Sequence, residues 1–194
     1  MLKKQVIGVW FLIFVFSNAF AALDLNKIPK KKQTPQGNYL NAKQAYKMIK
    51  SDTKHILFID VRTRPEVEFV GMTNVADANI PFMLNNAQQW DAKKHHFRMA
   101  PNKKFLAAFN RALQTKGLNK HSKIVLMCRS GTRSSKAARF LDKQGFKNVY
   151  SIVDGFEGDK AKSGPDKGHR VVNGWKNSHL PWSYKLSKNK MYFE

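Results

Sequence analysis

Cysteine is nearly absent from this chain of 194 residues, which contains only Cys128. A single cysteine excludes a framework of internal disulfide bonds and leaves either a bridge between two copies or a free reactive thiol. Acidic residues are also scarce, with 13 Asp and Glu against 35 Lys and Arg. The net charge of +22 is compatible with nucleic-acid binding, contact with an acidic membrane surface or a solvated basic surface, and we favour the solvated surface.

Metal-binding and nucleotide-binding patterns are missing as well. The histidines, among them His95 and His96, do not stand at metal-ligand spacing from a cysteine or a carboxylate cluster. The sequence also lacks a glycine-rich phosphate-binding motif. It therefore predicts neither a metal nor an organic cofactor.

The N-terminus has the pattern of a secretory signal peptide. Lys3 and Lys4 precede an apolar stretch over 6–16, and the cleavage pattern Ala-Phe-Ala follows at 19–21. Because the stretch is shorter than the roughly 20 residues of a membrane-spanning helix, we expect cleavage after Ala21 and not an uncleaved anchor. Export counts against nucleic acid as a partner and leaves at most peripheral contact with a membrane.

One domain is predicted after the signal peptide at 1–21. Residues 22–38 contain prolines and lysines without hydrophobic periodicity, which is typical of a flexible basic linker. The predicted domain covers 39–184. It includes a loop-rich insertion at 83–100 and an aromatic C-terminal cap at 165–184 that packs back on the domain, and a basic tail follows at 185–194.

Strands and helices alternate along the predicted domain. Apolar runs that are typical of buried strands occupy 55–61, 75–80, 123–127 and 148–153. Helical apolar spacing, with matching start and stop residues, occupies 42–50, 65–69, 102–116 and 133–144. This order predicts an α/β fold with a mostly parallel central sheet and helices on both faces.

Cys128 opens the segment Cys-Arg-Ser-Gly-Thr-Arg-Ser-Ser, which links a predicted strand to a predicted helix. Such a loop points successive backbone N–H groups toward one spot and so forms an anion site. The helix dipole and the two arginines, Arg129 and Arg133, favour thiolate, the nucleophilic form of cysteine, over thiol. A nucleophile and an anion site in one loop favour the free reactive thiol.

Four sequence motifs within roughly residues 40 to 160 resemble those of the rhodanese-homology superfamily of sulfurtransferases. They are Phe-Ile-Asp-Val-Arg at 58–62, Pro-Glu-Val-Glu-Phe at 65–69, Ala-Asn-Ile-Pro at 78–81 and the run at 124–133. The resemblance implies a rhodanese-like fold. In that family the loop cysteine takes a sulfane sulfur from a donor such as thiosulfate, forms a persulfide, and passes the sulfur to cyanide or a thiol. Cys128 would then be the nucleophile.

The resemblance also implies roles for the neighbouring residues. The wall that binds donor and persulfide would consist of Arg129, Ser130, Gly131, Thr132 and Arg133. Asp60, at the end of a predicted strand, is expected to hydrogen-bond the backbone or Arg62 and so support the site, and not to act as an acid or base. The implied partners are a small anionic sulfur donor and a cyanide or thiol acceptor, including a periplasmic thiol protein.

Two further comparisons with the family concern its subtypes. Many members have Gly-His-Ile-Pro-Gly-Ala where this chain has Gly-Met-Thr-Asn-Val-Ala-Asp-Ala at 71–78. The missing histidine is usually structural, so we interpret the change as the mark of a subtype. The segments 172–176 and 180–184 are similar to those of exported single-domain rhodaneses of Gram-negative bacteria, which implies a periplasmic location.

Other functions remain open at this point. Four residues separate Cys128 from Arg133, whereas related cysteine phosphatases have five, and the smaller loop suits a sulfur atom better than a phosphate ester. Phosphatase and arsenate reductase activity therefore rank below sulfur transfer. A second alternative is a non-catalytic sulfur carrier or protein-binding module of the cell envelope. A third is a basic domain that binds anionic surfaces through the lysines at 30–32 and the lysine-rich tail.

Overall fold

A computed structural model describes Leu23 and residues 27–193 of the chain. The predicted signal peptide at 1–21 lies outside the described residues. Among the residues that are described, no helix combines the length and the apolar character required to cross a membrane.

A parallel sheet of five strands forms the centre of the fold. The seven strands of the described chain are β1 (Tyr39–Leu40), β2 (Ile56–Asp60), β3 (Ala78–Asn79), β4 (Met83–Asp91), β5 (His96–Pro101), β6 (Lys123–Met127) and β7 (Val149–Ile152). The central sheet has the order β1-β7-β6-β2-β3, and all of its pairs are parallel. Strands β2 and β6 lie side by side, so their carboxyl ends place Asp60 and Cys128 at the same edge.

Four helices cover the sheet. They are α1 (Ala42–Ser51), α2 (Arg64–Val70), α3 (Phe105–Thr115) and α4 (Thr132–Lys143). The first two begin with capping boxes, in which the side chains of Asn41 and Thr63 accept hydrogen bonds from backbone N–H groups of the first turn. The cap at Asn41 explains why α1 starts where it was predicted, and Pro65 in the first turn explains why α2 starts within one residue of its prediction.

The core lies on both faces of the sheet, because successive strand residues point to opposite sides. Leu57 and Ile59 of β2 belong to the cluster that contains residues of α3 and α4. Ile56 and Phe58 belong to the cluster that contains residues of α1 and α2. The predicted α/β architecture, with a mostly parallel sheet between helices, is confirmed.

The predicted loop-rich insertion at 83–100 is instead a β-hairpin. Strands β4 and β5 pair antiparallel, from Met83 opposite Pro101 to Asp91 opposite His96. Trp90 and Phe97 pack edge to face across the hairpin with ring centroids 5.2 Å apart, and both are about half exposed. Since neither face of the hairpin is buried in the core, the sequence shows no alternation of apolar and polar residues, and the strands were not predicted.

The part of the predicted linker that the structure describes, 27–38, packs on the domain. Ile28 is buried, and Lys30–Lys32 forms a turn of 3-10 helix. The Nζ atom of Lys32 donates to the carbonyl of Val153 at 2.9 Å and to Asp159 Oδ1 at 2.8 Å. The prediction of a flexible linker is therefore wrong for these residues. Their attachment is a contact across more than a hundred positions, which local composition does not reveal.

The C-terminal segments also pack on the domain. Trp175 is fully buried against Phe58, with ring centroids 5.5 Å apart, as expected of the aromatic cap. The predicted basic tail contributes as well, because Tyr192 is buried and its hydroxyl donates to Asn102 Oδ1 at 3.1 Å. The residues of the tail up to 193 are thus partly core.

Candidate active site

Cys128 lies directly after β6, is a free thiol and is only 1% exposed. The backbone N–H of Gly131 donates to its Sγ atom at 3.2 Å. Helix α4 starts at Thr132, so its first N–H groups have no partners within the helix and carry the positive end of the helix dipole. The loop therefore directs the Gly131 amide toward the sulfur, at the positive end of the dipole of α4.

One buried serine hydroxyl adjoins the sulfur, and a second buried serine bonds the first. Ser134 Oγ lies 3.5 Å from Cys128 Sγ and 3.1 Å from the carbonyl of Gly131, to which it donates. Ser151, on β7, donates to Ser134 Oγ at 2.9 Å. Neither serine was predicted as a site residue. The position of Ser134 in the first turn of the helix was a usable signal, whereas that of Ser151 depends on the pairing of β6 with β7.

Two glycines allow the cysteine loop to pack against the segment that follows β7. Gly131 has φ +91°, and a Cβ atom there would lie 2.1 Å from the carbonyl oxygen of Val153. Gly155 has φ +64°, and a Cβ atom there would lie 2.4 Å from the carbonyl oxygen of Cys128. That same oxygen accepts a hydrogen bond from Phe156 N at 2.8 Å. Both positions need glycine because backbone approaches backbone.

Asp60 and Arg62 form a fully buried ion pair below this segment. Arg62 Nη2 donates to Asp60 Oδ2 at 2.6 Å and to the carbonyl of Gly71 at 2.9 Å. Its guanidinium stacks 3.9 Å from the centre of the Phe156 ring. Because Phe156 N bonds the carbonyl of Cys128, the pair supports the cysteine loop from the core side. The contact expected between Asp60 and Arg62 is present.

Arg133 forms a second ion pair, with Glu66 of α2. Arg133 Nη1 donates to Glu66 Oε2 at 2.5 Å, Nη2 donates to Oε1, and the two side chains are 13% and 14% exposed. Burial raises the pKa of Glu66, but the hydrogen bonds and the charge of Arg133 outweigh it and lower that pKa to about 2. The charge of Arg133 is thus matched by a carboxylate. Its predicted role in binding donor and persulfide stays a prediction.

Arg129 differs from Arg133 because its side chain is exposed. Its carbonyl accepts hydrogen bonds from Glu157 N at 2.9 Å and Gly158 N at 3.3 Å, which positions the loop. Arg170 lies nearby, where its Nη1 donates to the carbonyl of Gly158 at 2.5 Å. Burial and the charge of Arg129 lower the pKa of Arg170, while the charges of Glu157, Asp159 and Cys128 act in the opposite direction. Arg170 is a site residue that the sequence did not reveal.

A cleft of about 620 Å³ opens beside the loop, and we call it the basic cleft. Ser130 and Thr132 line it on the side of the cysteine loop. Its cationic lining residues are Lys27, Lys31, Lys32, Lys160, Lys162 and Arg170. Asp159 is the one acidic residue among those that line it, and it is paired with Lys32. The cleft therefore offers a strongly positive environment to an anion.

Groups that hold metal ions need several ligands close together. Within the described part of the chain, no three His, Cys, Asp or Glu side chains are grouped in that way. His95 and His96 lie at the exposed end of the hairpin, far along the chain from the cysteine loop.

Comparisons with known proteins identify relatives of both sequence and structure. The family model described as Rhodanese-like domain matches residues 41–162. Uncharacterized proteins of Rickettsia rickettsii and Rickettsia prowazekii are 35% and 32% identical over 141 residues, which cover 73% of this chain and 93% of each relative. The crystal structure of Rv0390 from M. tuberculosis superposes with a TM-score of 0.56 at 26% identity and covers 76% of this chain and 98% of that one.

Proposed function

Because the chain belongs to the rhodanese-like domain family, we propose that it is a sulfurtransferase with a persulfide on Cys128 as its intermediate. The observation that carries this proposal is the single cysteine sulfur held inside a strand-to-helix loop, with Gly131 N donating to it at 3.2 Å. Such a loop provides a nucleophile and hydrogen bonds to negative charge at one atom. The family supports sulfur transfer as the reaction class, and the donor and acceptor are part of the proposal.

In the first half-reaction the Cys128 thiolate attacks the outer sulfur of thiosulfate. A bond forms between Sγ and that sulfur, the S–S bond of thiosulfate breaks, and sulfite leaves with the electron pair. The products are the Cys128 persulfide anion and sulfite, so no oxidant, reductant or general base is needed. The cations of the basic cleft attract the donor anion, and the exposed Arg129 adds a positive charge to the loop.

The persulfide is stabilised by the groups that surround Sγ. The Gly131 N–H donates to negative charge on the sulfur, and the first turn of α4 adds its dipole. Ser134 Oγ lies 3.5 Å from Sγ, and its hydroxyl can donate to the sulfur only by turning away from the carbonyl of Gly131. In the second half-reaction cyanide or a thiolate attacks the outer sulfur, the persulfide bond breaks, and its electron pair returns to Cys128 as thiolate.

The proposed location is the periplasm, after cleavage of the signal peptide at 1–21. The support is the charged, apolar and Ala-Phe-Ala pattern of that segment. In an oxidising compartment a thiol that is 1% exposed reacts more slowly with oxidants than an exposed thiol does. Cell fractionation of the tagged chain, with an Ala21→Arg variant that blocks cleavage, tests this location.

The experiment that tests the reaction compares the parent protein with Cys128→Ser. Each is incubated with thiosulfate, and intact mass is measured before and after cyanide is added. We expect the parent to gain one sulfur atom and to lose it as thiocyanate, while the variant gains nothing. A parent with a free thiol that gains no sulfur would contradict the proposal.

A second candidate, a sulfur carrier that serves a partner protein without turnover on small donors, is favoured by one observation. Cys128 is only 1% exposed, so access of small molecules to its sulfur is restricted. The same experiment separates the two functions, since such a carrier would gain no sulfur from thiosulfate although its thiol is free.

A further inference from the structure

We propose that the basic cleft binds an acidic segment of an acceptor protein and presents that segment's cysteine to the persulfide on Cys128. The inference rests on the proposed sulfur transfer and names the class of its acceptor. It assigns a further function to the cleft walls, which the reaction with thiosulfate uses only to attract the donor anion.

The first argument is charge. Lys31, Lys160 and Lys162 line the cleft with exposed side chains. The acid that also lines it, Asp159, bonds the buried Lys32 at 2.8 Å and so compensates a different charge. Exposed like charges in one cleft repel each other and gain from a ligand that carries several negative charges. A single small anion would leave most of these cations without a partner.

The second argument is size. A cleft of about 620 Å³ lies within the range of roughly 300–1,000 Å³ that encloses ligands of drug size, whereas thiosulfate has five heavy atoms. An extended peptide segment that carries several carboxylates fits the volume of the cleft and the number of its cations. The concave shape also suits a segment better than it suits the flat surface of a membrane.

The third argument is the position in the sequence of the residues that form the cleft walls. Lys27 and Lys31 precede the family match at 41–162, and Arg170 follows it. The buried contacts of Lys32 with Val153 and Asp159 attach the first of these segments to the domain. These parts of the walls therefore lie outside the matched rhodanese-like region and pack beside the cysteine loop, whereas Lys160 and Lys162 lie inside that region.

The fourth argument is access to the sulfur. Ser130 and Thr132 belong to both the cysteine loop and the cleft. Arg170 lines the cleft and lies within electrostatic reach of Cys128. An acceptor thiolate bound there attacks the outer sulfur of the persulfide, the Sγ–S bond breaks, Cys128 leaves as thiolate, and the acceptor becomes the persulfide. Electrons balance without another reactant.

Binding is tested first, without any need for sulfur chemistry. The probe is a fluorescent peptide with two acidic residues on each side of a serine, compared with a peptide in which Gln and Asn replace the acids. In low salt we expect the parent to bind the acidic peptide about tenfold more tightly, a difference of about 1.4 kcal/mol. Lys31→Glu/Lys162→Glu should remove this preference. Lys50→Glu/Lys54→Glu, an equal charge change at exposed positions around the end of α1, should retain it.

Transfer is tested second, with cysteine in place of serine in both peptides. The parent and the variants are loaded with sulfur, separated from thiosulfate, and mixed with peptide, so that differences in loading do not matter. We expect about tenfold faster transfer to the acidic peptide, and loss of that difference in Lys31→Glu/Lys162→Glu. Equal rates for the two peptides, or an equal loss in the control pair, would overturn the proposal. So would a small dicarboxylic thiol that reacts as fast as the acidic peptide.

The outcomes separate this inference from the proposed function. If the acidic peptide binds but Cys128 takes up no sulfur, the cleft is a docking site and the sulfur-transfer proposal fails. If Cys128 takes up sulfur but binding shows no preference, sulfur transfer stands and the docking proposal fails.

Discussion

The cationic side chains on the two sides of the cysteine loop differ in their burial and in their partners. On one side Arg133 is buried and paired with Glu66, which neutralises it. On the other side the basic cleft presents Lys31, Lys162 and Arg170 against a single acid that is bonded to another lysine. Proximity to Cys128 therefore does not by itself determine the role of a cationic side chain. A buried partner gives Arg133 a part in stabilising the fold, whereas Lys31 and Lys162 keep exposed side chains in the cleft.

The largest effect is expected from breaking the buried pair with Glu66→Gln. Glutamine retains the capping contact with Thr63 but leaves the charge of Arg133 buried without a partner. We expect a loss of about 3 kcal/mol in the free energy of unfolding at pH 7, measured by urea denaturation.

The control for that variant removes both charges, as Glu66→Gln/Arg133→Met. Since no charge then remains buried, most of the lost stability should return. If Glu66→Gln were as stable as the parent, the ion pair would have no structural role. The contrast between the two sides of the cysteine loop would then be weaker.

Low pH should remove part of the stability that the Glu66 carboxylate contributes. The pKa of Glu66 is about 2 in the folded protein against an ordinary 4.5, so its stabilising effect is complete above pH 4.5 and is lost as the pH falls through 2. Between pH 7 and pH 3 the stability gap between the parent and Glu66→Gln should narrow by about 2 kcal/mol. Unfolding curves of both proteins at the two pH values measure it, and a constant gap would contradict the assigned pKa.

The smallest effect is expected from Arg170→Gln, in the basic cleft. Removing this charge should slow sulfur uptake from thiosulfate about threefold, because Arg170 is partly exposed and solvent screens it. Stability should change by less than about 1 kcal/mol, the value of its hydrogen bond to Gly158. High salt should shrink the rate difference.

Arg64→Gln supplies the matched control for Arg170→Gln, since Arg64 is an exposed arginine in the first turn of α2. Its rate of uptake should equal that of the parent. An equal loss in both variants would show that net charge, and not the position of Arg170, controls the reaction.

Local sequence signals predicted the frame of the site well. The apolar run of β6, the single cysteine after it and the glycine at 131 define a strand, the position of the thiol and a tight turn within nine residues. The capping residues Asn41 and Thr63 mark helix starts for the same reason, because each satisfies neighbouring backbone groups. Such interactions lie within a few positions and are therefore legible in one sequence.

Contacts between distant parts of the chain were not predictable in the same way. The hairpin of β4 and β5 has no buried face, so no apolar alternation marks it. The segment that includes Lys32 resembles a linker in composition, yet a contact with Asp159 fixes it to the domain. Charge alone does not show which partner it will meet after folding.

The sequence by itself determined the family, the α/β architecture and the position of the sulfur, because periodicity, capping and a short motif act locally. Only the tertiary structure decided which cations are neutralised by a buried partner and which stay exposed. Glu66 reaches Arg133 across 67 positions, and Arg170 reaches the loop through Gly158. The reason is physical: the effect of a charge depends on its burial and on its nearest partner, and the fold determines both.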